Sequence, residues 1–242
     1  VRGEPVEVIE GELTGLPIPA HAEIAIEGEA RMDELRDEGP FGEWTGYYAS
    51  SRRPEPVVKV KRLLHRDDPI ILGAPPGRPP CENNFMRCFV RSALCWEQRE
   101  LAGVPDVQGV WCHEAGGSRL ITVVALKQRF PGHARQAGAI AANCHAGAYL
   151  GRYVIVVDED IDPTNTNDVL WALATRSDPE KDIEVLRQRW SGPLDPIIPP
   201  GAKGFNSRAV IDACRTYDWK EEFPPVAESS RELKGAILKK WA

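Results

Sequence analysis

The stretch Glu38-Gly39-Pro40-Phe41-Gly42-Glu43-Trp44-Thr45-Gly46-Tyr47-Tyr48 places two carboxylates on either side of a Gly-Pro-Phe-Gly tetrapeptide. Because proline fixes φ and the glycines can take positive φ, the backbone can double back between the two acids. Both carboxylates can then face one space, and the aromatic residues beside them predict partly apolar surroundings. Repulsion and desolvation would keep one carboxyl protonated near neutral pH, as a proton donor requires. The alternative interpretation is a solvated turn with two exposed acids.

Strand-like sequence lies on both sides of this acidic turn. Residues 6–10 and 22–26 alternate apolar and polar side chains, with Pro17 and Pro19 between them, and residues 57–64 predict a further strand. The polar residues 31–37 predict a loop. Residues 1–72 are therefore interpreted as the remaining part of an antiparallel β-barrel-like domain.

A connector follows, because six of the eleven residues 70–80 are proline or glycine. The elements predicted after it are helix 82–101, strands 107–111 and 120–126, helix 132–149, strand 153–157 and helix 166–175. The continuously apolar strand 153–157 indicates burial on both faces, and the alternation predicts an α/β domain over 73–190. Residues 191–242 are predicted as an irregular segment, 191–200, and an amphipathic terminal helix, 228–241, whose apolar side requires a partner surface. A homo-oligomer, dimer or hexamer, is expected.

Composition excludes several classes of partner. The formal net charge of −6 does not favour nucleic acid or an anionic membrane, and no apolar run reaches the ~20 residues of a membrane helix. The N-terminus lacks a signal-peptide pattern, and a cytoplasmic protein is expected. The first residues enter strand-like sequence directly, which predicts the C-terminal portion of a longer protein.

Two groups of potential metal ligands carry little weight. Cys81, Cys88 and Cys95 repeat every seven residues, so on a helix they form one stripe, and three ligands spread over several turns cannot converge on one ion. Buried small thiols explain that stripe better. His113-Glu114 is an isolated pair, and no metal site is predicted in this chain.

The acidic turn resembles the segment that carries the catalytic acids in the UbiD family of prenylated-FMN-dependent decarboxylases. Residues 16–28, LPIPAHAEIAIEG, resemble the family's lead-in to that segment. Residues 127–134 (KQRFPGHA), 158–162 (DEDID) and 169–176 (VLWALATR) resemble the family in the same order. The resemblance implies an α+β fold: the remainder of a split antiparallel β-barrel flavin domain, then an α/β oligomerisation domain and a C-terminal helix.

The resemblance also implies roles for individual residues. Glu43 matches the acid that protonates the substrate carbon, and Glu38 the second carboxylate of a Glu-Arg-Glu network. The network arginine, the flavin-binding loop and the ligands for Mn²⁺ and K⁺ would lie upstream of Val1. His145 falls near a position that can face the flavin phosphate, although a helix-end histidine satisfied by backbone is the common alternative.

Three further residues match segments that border the substrate in relatives. Met86 and Leu194 would contact it, or else be plain core residues, and Arg87 would meet an acidic or polar substituent, or else be a surface arginine. Gly192, having no side chain, would leave room for a bulky ring.

The predicted function is a non-oxidative, reversible decarboxylation of an aromatic, heteroaromatic or α,β-unsaturated carboxylic acid that uses prenylated FMN, with Glu43 as proton donor. The alternative is a non-catalytic assembly part that needs a separate flavin-binding chain.

Overall fold

The computed structural model describes residues 3–48, 51–199 and 204–241. Val1 and Arg2, at the start of the first predicted domain, and Pro200, at the end of the predicted irregular segment, lie outside these ranges. The described residues form a mixed α+β structure with two two-stranded sheets and one five-stranded sheet. The α+β class predicted from the sequence is confirmed, whereas its division into domains at residues 72 and 190 stays a prediction.

The N-terminal region consists of four strands in two antiparallel pairs. Strand β1 (Val8–Glu10) pairs with β2 (Pro17–Pro19), and the long strand β3 (Ile24–Glu38) pairs with β4 (Arg53–His65). Two prolines are tolerated in β2 because it is a short edge strand. Both pairs are open ribbons, so the closure of this region into a split barrel stays a prediction.

The predicted loop at residues 31–37 is wrong, because these residues continue strand β3. Their polar side chains are solvated on the ribbon, and Lys59 Nζ on β4 pairs with Glu34 Oε2 at 2.6 Å. A register shift between Arg31 and Leu35 interrupts the apolar alternation by which a strand is recognised. Pairing with β4 therefore makes residues 31–37 a strand, and their own sequence does not predict that conformation.

The C-terminal region is an α/β layer structure. Its elements are helix α1 (Glu82–Leu101), strands β5 (Val107–Cys112) and β6 (Ile121–Leu126), helices α2 (His133–Asn143) and α3 (His145–Ala148), strand β7 (Tyr153–Asp158), helix α4 (Thr166–Arg176), strands β8 (Ile183–Trp190) and β9 (Phe205–Ala213), and helix α5 (Arg231–Trp241). The strand order is β5-β6-β7-β9-β8, with β6, β7 and β9 parallel and the two outer strands antiparallel to their neighbours.

The central strands are buried on both faces. Val124, Val156 and Val210 point into one core, which α1 and α2 cover, whereas Val123 and Ile155 point into a second core covered by α4. The continuously apolar sequence of β7 predicted this arrangement, and the prediction is confirmed.

Two details differ from the sequence-based expectations. The predicted helix 132–149 is broken at Cys144, whose extended backbone separates α2 from α3. No element was predicted between the irregular segment 191–200 and the terminal helix, but strand β9 lies there and joins the sheet between β7 and β8. Asn206 and Arg208 on this strand are buried although they are polar. The sequence of β9 therefore lacks the apolar pattern by which a buried strand is recognised.

Two glycines test how closely α2 approaches the sheet. A Cβ at Gly138 would lie 2.4 Å from Val210 Cγ1, a methyl of a stiff β-branched side chain, whereas a Cβ at Gly235 in α5 meets nothing within 4 Å. Gly138→Ala is expected to lower the unfolding free energy by about 1–3 kcal/mol through overpacking, despite alanine's better helix propensity. Gly235→Ala is the matched control, and it should leave stability unchanged or raise it by up to about 1 kcal/mol. Denaturant unfolding of both variants checks this, and equal effects would contradict the close packing.

Candidate active site

The acidic turn connects β3 to β4 at the end of the long ribbon. Glu38 pairs across the ribbon with Arg53, and beyond it the backbone folds back on itself. The Glu43 N–H donates to the Tyr47 carbonyl at 3.0 Å, and the Gly46 N–H donates to the Glu43 carbonyl at 2.8 Å. These hydrogen bonds turn the chain over residues 43–47 and hold the Glu43 backbone. The predicted reversal between the two acids, with both carboxylates facing one space, stays a prediction.

The glycines of the turn act in different ways. Gly39 takes φ +83°, as the sequence predicts for a residue beside the proline. Gly42 is required by space instead, because a Cβ there would lie 2.5 Å from the Pro76 carbonyl oxygen. The connector therefore passes directly against the turn that carries the acids.

Trp44 anchors the turn to the α/β region. Its side chain is 5% exposed, and a Cβ at Gly117 would lie 2.3 Å from its Cε3 atom. Asn84 Nδ2 on α1 donates to the Trp44 carbonyl at 3.0 Å, and the Arg119 guanidinium carbon lies 5.7 Å from the ring centre. Glu43 is therefore directly followed by Trp44, a residue whose position is fixed by contacts on several sides.

The two acids differ in burial. Glu38 is exposed and Glu43 is partly buried. Contrary to the expected apolar surroundings, Phe41, Tyr47 and Tyr48 are each at least 60% exposed, because the end of the ribbon projects from the sheet. These three aromatic side chains therefore do not enclose the acids.

A cavity of about 1100 Å³ adjoins the turn. Three parts of the chain line most of it: the turn residues 45–48, the connector residues Arg78 and Pro79, and residues 193–198. The space is large enough for a flat ring system together with a small ligand. It brings Leu194, predicted from the sequence, next to the acidic turn.

A buried ion pair holds the 193–198 wall in place. Arg152 donates to Asp195, and Asp195 also accepts hydrogen bonds from Ser191 Oγ at 2.8 Å and from Asn206 Nδ2 at 3.0 Å. The Asp195 side chain is fully buried. Burial alone would raise the pKa of Asp195, but the hydrogen bonds from Ser191, Arg152 and Asn206 outweigh it and hold that pKa below its ordinary value.

Five of the six predicted site residues lie outside this cavity's lining, including Glu38 and Glu43, which belong to the adjoining turn. Met86 and Arg87 are exposed on the first turns of α1, and His145 is exposed at the start of α3. The room expected at Gly192 is already filled, because a Cβ there would lie 1.9 Å from the Tyr149 hydroxyl. Tyr149 in turn packs against Trp190, with 4.7 Å between ring centres.

Arg119 lies beside the anchored turn and close to Arg91 and Arg87. Burial, followed by repulsion from Arg91 and Arg87, lowers the pKa of Arg119 to about 10. The Arg119 guanidinium also lies 5.8 Å from the Tyr149 ring centre. Arg119, Arg152 and Arg78 were not predicted from the sequence, and only Arg78 carries a signal there, as the single charge within the proline-rich connector. The local sequence therefore did not reveal the positive side of the site.

Metal ligation is not evident in the parts of the chain that the structure describes, where no group of three or more His, Cys, Asp or Glu side chains is arranged around a common point. His113, one of the weak candidates, is structural: its Nδ1 accepts from the Ala115 N–H at 3.2 Å, and its Nε2 lies 2.8 Å from Thr166 Oγ1. Cys88 and Cys95 are buried free thiols, as predicted, whereas Cys81, at the N-cap of α1, is half-exposed. None of the described helices has the length and apolarity to cross a membrane.

Sequence models of one family match most of the chain, up to residue 213. The 3-octaprenyl-4-hydroxybenzoate carboxy-lyase Rift-related domain matches residues 1–79, and the C-terminal domain of the same carboxy-lyase matches residues 84–213. The acidic turn lies in the first match, and the α/β sheet lies in the second. The chain belongs to the UbiD family.

Similarity to individual proteins agrees with this. The chain is 36% identical to the pyrrole-2-carboxylic acid decarboxylase of Pseudomonas aeruginosa, covering 99% of this chain and 51% of that protein. It is 35% identical to the phenolic acid decarboxylase of Bacillus subtilis, covering 88% of this chain and 44% of that protein. The chain thus spans about half the length of these relatives.

Solved structures show the same fold. The UbiD-class enzyme HmfF from Pelotomaculum thermopropionicum, in complex with FMN, superposes with a TM-score of 0.81 at 28% identity, covering 99% of this chain and 52% of that chain. An evolved dimeric form of HmfF in complex with prFMN gives a TM-score of 0.76 at 26% identity, covering 99% and 49%.

The Asp195 cluster is expected to control the stability of the cavity wall. Asp195→Asn leaves the largely buried Arg152 without its counter-charge, which costs about 3–5 kcal/mol, or a fall in Tm of about 6–20 °C. Asp178→Asn, which removes one partner of an exposed pair with Lys181 at 2.9 Å, is the control and should change Tm little. Thermal unfolding measures both variants.

The same pair predicts a pH dependence. Since the folded-state pKa of Asp195 lies below the unfolded value of about 3.9, its contribution is fully present above about pH 4 and is lost as pH falls through the folded-state pKa. The stability difference between wild type and Asp195→Asn should shrink in that acidic window. A difference that stayed constant down to pH 2 would contradict the assignment.

Proposed function

We propose that this chain forms part of a decarboxylase that releases CO₂ from an aromatic, heteroaromatic or α,β-unsaturated carboxylic acid, with prenylated FMN as cofactor and Glu43 as proton donor. The observation that carries the proposal is the position of Glu43 in a hydrogen-bonded turn, fixed by buried Trp44 beside a large cavity. A general acid has to be held within reach of one carbon atom, and such a turn provides that. The activities named for the two decarboxylase relatives support the reaction class.

The residues around the cavity fit a flavin and an aromatic acid. Tyr47, Tyr48 and Leu194 offer flat and apolar surface, and Arg78 offers a cation. The HmfF complexes with FMN and prFMN support the choice of cofactor. When bound, prenylated FMN would supply a temporary acceptor for the electrons of the carbon–carboxylate bond. We further propose that His145 meets the flavin phosphate, since its ring is exposed, and that Mn²⁺ and K⁺ bind to residues outside this chain.

The chain's own residues would act after the carbon–carbon bond has broken. The Glu43 carboxyl transfers its proton to the carbon that carried the carboxylate, and Glu43 is left as a carboxylate. Glu38, at the base of the same turn, is proposed to take part in restoring that proton. Carboxylation would run the same proton transfer in reverse, because Glu43 carboxylate can remove the proton before CO₂ adds.

Removing the acidic proton of Glu43 should slow turnover strongly and preserve the fold. Glu43→Gln keeps the size of the side chain, and kcat is expected to fall by at least about 100-fold, the usual contribution of a general acid. Glu34→Gln, a half-buried glutamate on the same ribbon paired with Lys59, is the control and should retain activity. Steady-state kinetics of the flavin-loaded enzyme with a phenolic or pyrrole carboxylic acid measures both.

An isotope experiment separates proton transfer from bond cleavage. If Glu43 acts only after CO₂ has left, the Glu43→Gln variant should still exchange labelled CO₂ into the substrate carboxylate while forming little product. Loss of exchange together with product formation would mean that Glu43 is needed earlier, and unchanged kcat would exclude it as the proton donor.

The other predicted contacts are proposed to set substrate choice. Leu194 would form an apolar wall of the cavity. Arg87 lies close enough to Arg119 for repulsion between them to lower the pKa of Arg119, so an anionic substituent near both would be stabilised. Met86, its neighbour on α1, would contact the apolar edge of such a substrate.

Arg87→Gln is expected to affect only acids that carry a second anionic group. A lost charge-assisted hydrogen bond of about 1.5–3 kcal/mol corresponds to a roughly 10- to 150-fold fall in kcat/KM for those substrates. An unsubstituted aromatic acid should be converted as before. Arg36→Gln, an exposed arginine on the ribbon, is the control, and equal losses for both substrate types would remove Arg87 from substrate binding.

An assembly role is the second candidate, favoured by the exposed apolar side of α5. Leu233, Ile237, Leu238 and Trp241 are each about half exposed or more. Such a helix suits a contact with another copy of the chain, or with a separate flavin-binding chain. The intact mass and absorption spectrum of the purified protein distinguish the two functions: flavin absorbance supports the decarboxylase, whereas a mass near 26.8 kDa without flavin supports the assembly part.

A further inference from the structure

Arg119, in the loop between β5 and β6, is a half-buried cation held by two aromatic rings. Its guanidinium carbon lies 5.7 Å from the ring centre of Trp44 and 5.8 Å from that of Tyr149, both within the roughly 6 Å over which a ring face attracts a cation. Among the described residues, none forms a hydrogen bond or an ion pair with this guanidinium. Since a charge withdrawn from water needs compensation, the two rings determine where the side chain lies.

The backbone that carries Arg119 is held in a strained conformation. Gly117 has φ +61° and Ser118 has φ +62°, which is uncommon for serine and costs free energy. Ser118 is fully buried, and its N–H donates to the His113 carbonyl at 3.0 Å. The Arg119 N–H donates to the Gly116 carbonyl at 3.2 Å. Arg119 therefore extends from a fixed loop, and strain of this kind is typical of functional sites.

The same loop contacts Trp44 at a second point. A Cβ at Gly117 would lie 2.3 Å from Trp44 Cε3 and 2.9 Å from the Trp44 carbonyl oxygen, so both the ring and the backbone of Trp44 lie against the loop. Glu43 directly precedes Trp44, and its side chain forms no hydrogen bond or ion pair with another described residue. The position of the Glu43 carboxyl therefore depends on the backbone that Trp44 holds.

Tyr149, the second ring beside Arg119, is fixed by the opposite side of the cavity. Its ring centre lies 4.7 Å from that of Trp190, and its hydroxyl fills the space beside Gly192. Gly192 is two residues before Leu194, which lines the cavity. A continuous series of contacts thus leads from the acidic turn through Arg119 to the wall that carries Leu194.

We propose that Arg119 is a positioning residue for the proton donor: its guanidinium, between the rings of Trp44 and Tyr149, holds the acidic turn at a fixed separation from the cavity wall at Leu194. Arg119 acts through Trp44 and transfers no proton itself, because arginine keeps its proton near neutral pH. The effect on turnover rests on the proposed role of Glu43, whereas the effect on the turn does not.

Hydrogen exchange measures the turn without reference to activity. In Arg119→Gln the cation is lost, and the amides of Glu43 and Gly46, which are hydrogen-bonded within the turn, should exchange about five- to tenfold faster, the effect of a partly desolvated cation–π contact. The peptide of β7, residues 153–158, should exchange as in wild type. Arg187→Gln, an exposed arginine on β8, is the matched control and should change neither peptide.

Two results of this measurement would overturn the positioning role. One is unchanged exchange in residues 43–48 of Arg119→Gln. The other is an equal increase in the turn and in β7, because Arg119 would then only stabilise the fold as a whole.

Gly192→Ala tests the same contacts from the cavity wall. A Cβ at Gly192 displaces the Tyr149 hydroxyl, and the shift of that ring should speed exchange in the turn in the same direction as Arg119→Gln. The double variant should differ little from Arg119→Gln alone, because both changes act through one guanidinium. Gly235→Ala, where a Cβ meets nothing within 4 Å, is the control. Additive effects of the two changes would overturn the connection between turn and wall.

Kinetics of the flavin-loaded enzyme with an unsubstituted aromatic acid test the effect on turnover. Arg119→Gln should lower kcat about five- to tenfold and leave KM within about twofold, since the distance from the acid to the substrate carbon changes while substrate contacts remain. Arg119→Lys, which keeps a cation beside the rings, should recover most of kcat. A raised KM with unchanged kcat would make Arg119 a substrate-binding residue and overturn the positioning role. Unchanged kcat in Glu43→Gln would instead overturn the proposed function, and that result does not depend on Arg119.

Discussion

The packing of Trp44 against Gly117 connects the two regions of the described chain. The indole lies where a side chain at Gly117 would otherwise stand, and Asn84 holds its backbone carbonyl from α1. An exposed β-ribbon and a buried α/β sheet therefore share one fixed point, directly beside Glu43. Positions near a catalytic carbon have to be held within fractions of an ångström, and a ribbon end alone is too mobile for that. The position of Glu43 therefore depends on the α/β sheet, because the next residue, Trp44, is packed against it.

The elements that sequence predicted well are those whose signal is local. Helix α1 carries an amphipathic pattern and strand β7 a continuously apolar run, and the structure places both elements where these patterns predicted them. Residues 31–37 and strand β9 were missed because their structure depends on partners distant in sequence. Charged residues such as Glu34 become strand residues when a facing strand offers Lys59, and Arg208 is buried because several carbonyls surround it.

The candidate site likewise has a part with a local sequence signal and a part that depends on residues distant in sequence. The acidic turn could be predicted because its glycines, its proline and its two acids are contiguous in the sequence. The Arg152–Asp195 pair and the Arg119 contact with Trp44 join residues from different elements, and no spacing rule connects them. Open space was expected at Gly192 because glycine has no side chain. Tyr149, which is distant in sequence, fills that space in the structure. Sequence thus supplied the chemistry of one side of the site, and the fold supplied the other.

The strand order of the five-stranded sheet has a consequence for synthesis on the ribosome. Strand β8 is translated before β9, yet β9 lies between β8 and β7 and pairs with both. Until residues 205–213 have left the ribosome, β8 has no neighbour and β7 presents an open, apolar edge. Such an edge is a site of mispairing between nascent chains. The late arrival of a single strand therefore sets the moment at which this sheet becomes protected from aggregation.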